Sequence, residues 1–227
     1  MIGPEPVCIC VFAKPARPGL VKTRLAAELG LQRAADLARA FFSDTWAAVR
    51  AQPNARSVLA ATEHPGDSLA LEADAAIWLQ GDGDLGQRIE RILQRGLGLA
   101  PVAFAVGADS PGLPPRLWAA ARQQATAFDA VLGPAHDGGF YLLGLRRCPR
   151  GLLADLPWSH PETCERTLAR LQSAGFRVAL LEPWFDVDEP ADLLRLHAML
   201  TSGEVDAPCT AALLGIPCQT EAAARAS

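Results

Sequence analysis

The chain has 227 residues, 50% of them apolar and 20% charged, with a formal net charge of −4. That length holds one substantial domain or two small ones, and the acidic balance argues against general nucleic-acid binding, which favours a basic domain. No apolar run approaches the roughly 20 residues that cross a bilayer, and the N-terminus lacks the basic and then apolar pattern of a signal peptide, so a cytoplasmic protein is expected. Six cysteines stand at 8, 10, 148, 164, 209 and 218. They contain no C-x-x-C pair and complete no zinc pattern with the four histidines, which fits a reducing compartment.

Taken in chain order, apolar β-rich runs occur at residues 6–13, 56–62, 75–80, 101–108, 129–135, 140–146 and 176–183. Helical periodicity lies between several of them, at 30–52, 66–73, 85–99, 114–127, 160–174 and 189–201. Continuous apolar strands alternating with helices predict an α/β domain, a mostly parallel sheet covered on both faces. One junction departs from that rule. The runs DAVLGPA and FYLLGLR are separated only by HDGG, too short for a crossover helix, so an antiparallel hairpin or sharp bend is expected there. Cys8 and Cys10 alternate along the first strand and read as small buried residues on one face. Residues 1–202 form the expected domain. The tail, 203–227, carries one apolar patch, AALLGIP, able to dock on the body, and its last eight or so residues are expected to be disordered.

Ligands of open α/β sheets bind at the carboxyl ends of the strands, and four loops there could carry chemistry. FAKPARPGLVKTRL (Phe12 to Leu25) places Lys14, Arg17, Lys22 and Arg24 straight after the first strand. Lys22-Thr23 resembles the end of a P-loop, but Ala16 and Val21 stand where its glycines are required. The remaining alternatives are a solvated loop or one whose cations and helix start hold phosphates. GDGDLG, Gly81 to Gly86, matches G-x-G-x-x-G, yet Asp82 and Asp84 would face a pyrophosphate; a helix-capping turn or a substrate loop is the alternative. Arg88, one turn on, reads either as an anion ligand or as a surface arginine. GADSPGLP puts Asp109 at a strand end between glycines, suited to a hard divalent cation or to helix capping. HDGGFYLLG and WFDVDEPADL add Asp137 before Gly138 and Gly139, and the alternating Asp186 and Asp188. Either of these last two acids could supply a second metal ligand, and Asp188 could instead cap the following helix.

In this order and spacing the motifs FAKPARPGLVKTRL, QGDGDLGQRI, GADSPGLP, LGPAHDGGFYLLGL and FDVDEPADL resemble the radical-SAM/selenodomain-associated transferase family. That family has the GT-A (nucleotide-diphospho-sugar transferase) fold, and some members are labelled arsenosugar-biosynthesis glycosyltransferases. It is similar in turn to phospholactate guanylyltransferase and molybdenum-cofactor guanylyltransferase. The resemblance, over residues 6 to about 200, implies a three-layer Rossmann-like fold with a mostly parallel, mixed sheet. It implies nucleotide binding by Phe12, Ala13, Lys14, Gly19, Lys22, Arg24, Gly81 and Gly83, with Lys22, Arg24 and Asp109 catalytic. Asp109 and Asp188 become ligands of Mg²⁺ (or Mn²⁺). Arg88, Ser110, Asp137, Gly138 and Gly139 fall on the acceptor side, with Ser110 and His136 able to tune acceptor choice. Where many glycosyltransferases carry D-x-D, this chain reads Asp109-Ser110-Pro111.

Three functions follow as expectations. The first is Mg-dependent nucleotidyl transfer from an NTP to a small phosphate- or hydroxyl-bearing acceptor, which needs cations and carboxylates rather than a nucleophilic side chain. The second is glycosyl transfer from a nucleotide sugar, and the third is nucleotide binding without catalysis. The expected partners are a nucleotide and a small acceptor, without nucleic acid or membrane span. The base and the oligomeric state stay open, a homodimer included.

Overall fold

Strands buried on both faces need helices on both sides, and that requirement organises the chain. The computed structural model describes residues 4–217. Strands β1 (Val7–Ala13), β2 (Ala55–Ala61), β3 (Ala76–Leu79), β4 (Val102–Gly107), β5 (Ala130–Pro134), β6 (Phe140–Leu145) and β7 (Val178–Leu180) form one sheet in the order β3-β2-β1-β4-β6-β5-β7. β6 runs antiparallel to β4 and β5, and every other pairing is parallel. The HDGG junction is therefore a hairpin turn. It is closed by the amide of Ala135 donating to the Gly139 carbonyl at 2.9 Å.

Alternation along β1 divides two cores. Val7, Ile9 and Val11 face one side, with Leu37 and Phe41 of α2 (Leu31–Arg50) and Leu117 and Trp118 of α4 (Pro115–Ala127). Cys8 and Cys10 face the other, with Ile89, Ile92 and Leu93 of α3 (Leu85–Leu97) and Leu171 of α5 (Thr163–Ser173). The layers are thus helix, sheet, helix. Ile89, Ile92 and Leu93 recur at the spacing that lines one helical face.

Two boundaries differ from the sequence expectation. The helix expected over 30–52 is preceded by a separate α1 (Thr23–Leu29), because Gly30, at φ 83°, ends one helix and begins the next. The helix expected over 66–73 is only a 3₁₀ turn, Gly66–Ser68. Pro65 precedes it, Gly66 takes a left-handed φ of 53°, and Leu69 is already extended.

After α6 (Pro190–Ser202), the apolar patch of the tail forms α7 (Pro208–Leu214), which packs on α2. Asp44 of α2 anchors it, accepting from the amides of Cys209 at 2.8 Å and Thr210 at 2.9 Å and from the Thr210 hydroxyl at 2.6 Å. The disorder expected for the last eight or so residues lies outside the described residues. Among those described, no helix is long and apolar enough to cross a membrane.

Candidate functional site

The carboxyl ends of β1 and β4, with the loops that follow them, border a cleft with two adjoining lobes of about 780 and 420 Å³. Phe12, Lys14, Lys22, Gly107 and Asp188 line both. The smaller lobe adds Ala13, Gln80, Arg88 and Asp109. The larger adds Arg24, Asp137, Gly139, Phe140, Trp158, His160 and Asp186.

At the junction lies Lys22. It caps α1 in a left-handed conformation, φ 47° and ψ 45°, which few non-glycine residues adopt. Its Nζ sits 2.7 Å from Oδ1 of Asp109 and 2.7 Å from Oδ1 of Asp188. The ammonium end is sealed, with the side chain 4% exposed, whereas the two carboxylates are about half exposed to the cleft. Burial alone would lower the lysine's pKa, but the two acids outweigh it and raise the value, so the ammonium stays charged. The helix-capping alternatives do not hold for these acids. α4 follows Pro114 at its N-cap and has no side-chain cap. α6 is capped by Glu189 and by Asp192, which accepts from the amides of Asp188 and Glu189.

Around this centre the other acids cluster. Asp186 accepts from the Ser110 hydroxyl. Burial pushes its carboxyl up to about 6; Ser110 opposes that shift, and the charges of Asp109 and Asp137 add to it. Asp137 accepts from the Gly139 amide through Oδ1 at 2.8 Å. Ser110 is itself buried, so it supports Asp186 rather than lining either lobe.

The structure brings most of the sequence candidates together. Lys14, Lys22, Asp109 and Asp188 meet at the seam, and Arg24 is near it, paired with Glu189 at 3.2 Å. Gly19 is exposed on the loop away from the lining, and Arg17 pairs with Glu63 at 3.0 Å. Gly81 and Gly83 are exposed and line neither lobe. Their segment is a capping turn in which Asp84 accepts from the Gln87 amide at 2.9 Å and Gln87 returns the bond at 3.1 Å. Arg91 ties down the Gln80 and Asp82 carbonyls. Arg88 lies on the lobe of Lys14 and Gln80, not on the wall of Asp137 where the acceptor side was expected. His136 turns outward, its Nδ1 accepting from Arg195 at 2.9 Å.

Gln80 was not anticipated from sequence. Its side chain is buried and its Nε2 donates to the Ala60 carbonyl at 2.8 Å, while its Oε1 has no protein donor among the described residues. The only available signal was a polar residue ending the apolar run AAIWLQ. Trp158 could be read from sequence either as lining a pocket or as packing in the core, and it lines the larger lobe; its neighbours to Thr163 come from a loop with no motif.

Over residues 45–160 the chain matches the family described as uncharacterized protein conserved in bacteria (DUF2064). The chain belongs to this family. A crystal structure from Desulfovibrio desulfuricans, provisionally named a nucleotide-diphospho-sugar transferase, superposes at a TM-score of 0.79 and 28% identity, covering 91% of this chain and 93% of that one. CMP:2-keto-3-deoxy-manno-octonic acid synthetase complexed with CTP gives 0.56 at 14% identity, over 88% of this chain and 100% of that one. Molybdopterin-guanine dinucleotide biosynthesis protein A from Archaeoglobus fulgidus gives 0.51 at 12% identity, over 86% and 99%. The last two share the fold. No functionally curated protein matches this sequence. The three-layer, Rossmann-like GT-A fold expected from the motifs is the fold observed.

Proposed function

We propose that this protein is a nucleotide-using transferase, and that its reaction is nucleotidyl transfer from an NTP to a small acceptor carrying a phosphate or hydroxyl, with release of pyrophosphate. The observation that supports it most is the Lys22–Asp109–Asp188 junction at the seam of a two-lobed cleft. Phosphoryl-group chemistry needs positioned charge more than a nucleophilic side chain, and this junction offers charge of both signs. The nucleotide occupies the lobe of Phe12, Ala13, Lys14, Gln80 and Arg88. Lys14, with no acid partner among the described residues, and Arg24 hold phosphate oxygens. Gln80 offers its free Oε1 to a donor on the base.

Asp109 and Asp188 fit a divalent cation such as Mg²⁺ or Mn²⁺, since their oxygens converge on one point, now filled by the Lys22 ammonium. Two carboxylates completed by substrate phosphates are a common Mg²⁺ environment. Such an ion supplies charge neutralisation at the phosphates. With the acids so occupied, Lys22 would be available to pair with phosphate oxygens, and Asp186, held by Ser110, stands beside Asp109 as a further acid.

Glycosyl transfer from a nucleotide sugar is the second reading, favoured by the provisional name of the Desulfovibrio structure at 28% identity. A thermal-shift panel of NTPs and sugar nucleotides, with and without Mg²⁺, tests the nucleotide, because a ligand of the native state raises the melting temperature by mass action. Product analysis separates the two readings: pyrophosphate from an NTP against a nucleoside diphosphate from a sugar nucleotide. If no nucleotide shifts the melting temperature, both are wrong.

A further inference from the structure

The larger lobe differs from the smaller in what lines it. Its cations, Lys14, Lys22 and Arg24, all come from the loop after β1 and the first turn of α1. Lys22 is held by two acids and Arg24 by a third. The opposite wall, from Asp137 to Thr163, has no lysine or arginine in its lining. It presents the Asp137 carboxylate, the Phe140 and Trp158 rings packed edge to face at 6.1 Å and 72°, and the polar side chains of Ser159 and His160.

We propose that this wall receives an uncharged, hydroxyl-rich acceptor with an apolar face, a sugar or polyol, and discriminates against its phosphorylated counterparts. The proposal rests on the nucleotidyl-transfer reading and narrows it. A phosphate monoester placed against this wall would meet the Asp137 carboxylate with no guanidinium or ammonium from the wall itself, the lobe's three cations being those assigned to the nucleotide's phosphates, whereas phosphate sites are built from such cations. A neutral acceptor instead stacks its C–H face on the aromatic rings and gives its hydroxyl protons to carboxylate and hydroxyl acceptors, the usual mixture of an apolar wall with a few placed polar groups.

The wall is built rather than incidental. A Cβ at Gly138 would lie 2.0 Å from the Pro161 carbonyl oxygen, so the hairpin turn and the 157–163 segment are in contact. The Cys164 amide donates to the Gly138 carbonyl at 2.8 Å. Glu90, buried on α3, accepts from the amides of Gly151 at 3.0 Å and Leu153 at 2.5 Å, which anchors the loop leading to Trp158. Gly86 lets the Trp158 indole pack on the first turn of α3, where a Cβ would approach it to 3.0 Å. Ser159 holds a left-handed φ of 58°, and its hydroxyl has no protein partner among the described residues.

The acceptor class also matches the chemistry. A phosphate oxygen is already ionised, but an alcohol must lose a proton as it attacks. Asp137 is oriented through Oδ1 by the Gly139 amide, and its Oδ2 has no protein donor among the described residues. The acceptor oxygen bonds to the α-phosphorus of the NTP, the bond from that phosphorus to the bridging oxygen breaks, and pyrophosphate leaves with the electron pair. The hydroxyl proton passes to Asp137 Oδ2.

The test incubates the protein with Mg²⁺, an NTP mixture and either glycerol, ribose and glucose or their monophosphates, and detects nucleotidylated product by mass. A parallel thermal-shift series follows NTP binding. The expected result is product from the neutral set at about tenfold or greater preference, cut by about 10²-fold in Asp137→Asn, with the NTP-induced shift retained in that variant. Preference for the monophosphates, or an unchanged rate in Asp137→Asn, would overturn the proposal. So would NTP binding without product from either set, which leaves the nucleotide reading standing. Absence of any NTP shift would instead remove the reading on which the proposal rests.

Discussion

Two loops of this protein look alike on paper and behave differently in space. Both follow a parallel strand, both contain glycine, and both lead into a helix: Lys14–Lys22 after β1, and Gln80–Asp84 after β3. In the second, Asp84 and Gln87 satisfy each other across the first turn of α3, and Arg91 fastens the carbonyls behind them. In the first, the cap residue Lys22 makes no local side-chain bond; its ammonium reaches Asp109 and Asp188, far along the chain. A loop whose polar groups close on themselves is a structural part. A loop whose cap cation is balanced by groups lining a cleft has something left to exchange with a ligand.

Substitutions can break this comparison or sharpen it. The largest expected effect is at Lys22→Met, which leaves two carboxylates facing each other without the cation. Turnover should fall by about 10²–10³, by analogy with lost transition-state donors, as measured by pyrophosphate release. A variant with full activity would place this loop beside the β3 loop as mere structure. Next comes Gly138→Ala. Its Cβ would collide with the Pro161 carbonyl at 2.0 Å in a backbone already at φ 90°. A loss of about 3 kcal/mol is expected in denaturant melts, together with a weakened acceptor wall.

Asp84→Ala should cost about 1 kcal/mol, the usual value of an N-cap, and leave turnover unchanged. Its contrast with Asp188→Ala, expected to abolish most activity and also to cost stability because the sealed Lys22 ammonium loses one of its two acids, is the sharpest form of the comparison. A smaller effect serves as a control remote from both loops. Glu5 is held below its ordinary value near 4.5 by hydrogen bonding to Arg146, with burial opposing and the guanidinium charge assisting. A carboxylate with a depressed folded-state pKa contributes stability above its unfolded value and loses it as pH falls through the folded one. The melting-temperature difference between the protein and Glu5→Gln should therefore be full near neutrality and disappear as pH falls through the depressed pKa of Glu5. A difference independent of pH would show that the pair acts through packing alone.

Much of the architecture was legible from residues alone. The seven apolar runs, the helical spacing of α3 and the four-residue HDGG junction imposed the mixed sheet, because backbone hydrogen bonding and burial leave few other arrangements. Short or broken elements were less legible. The periodicity over 66–73 is helical, but Pro65 and the left-handed Gly66 stop the helix after one turn. The candidate site was half visible. Residue types at strand ends announced Lys22, Asp109, Asp137 and Asp188, whereas Arg88 and the capping glycines were assigned to faces that only packing could determine.

What the sequence determined by itself was local: where apolar chain must be buried, where a turn must be tight, and which strand ends carry charge. Tertiary structure alone decided which charges meet. Lys22 finds Asp188 across 166 positions of chain, Gln80 lines the smaller lobe with its Nε2 tied to the Ala60 carbonyl of β2, and Trp158 joins Asp137 in lining the larger lobe where Pro161 packs on Gly138. The reason is physical. Backbone conformation follows from neighbours a few residues away, but electrostatic partnership depends on distance in space, which only the completed sheet sets.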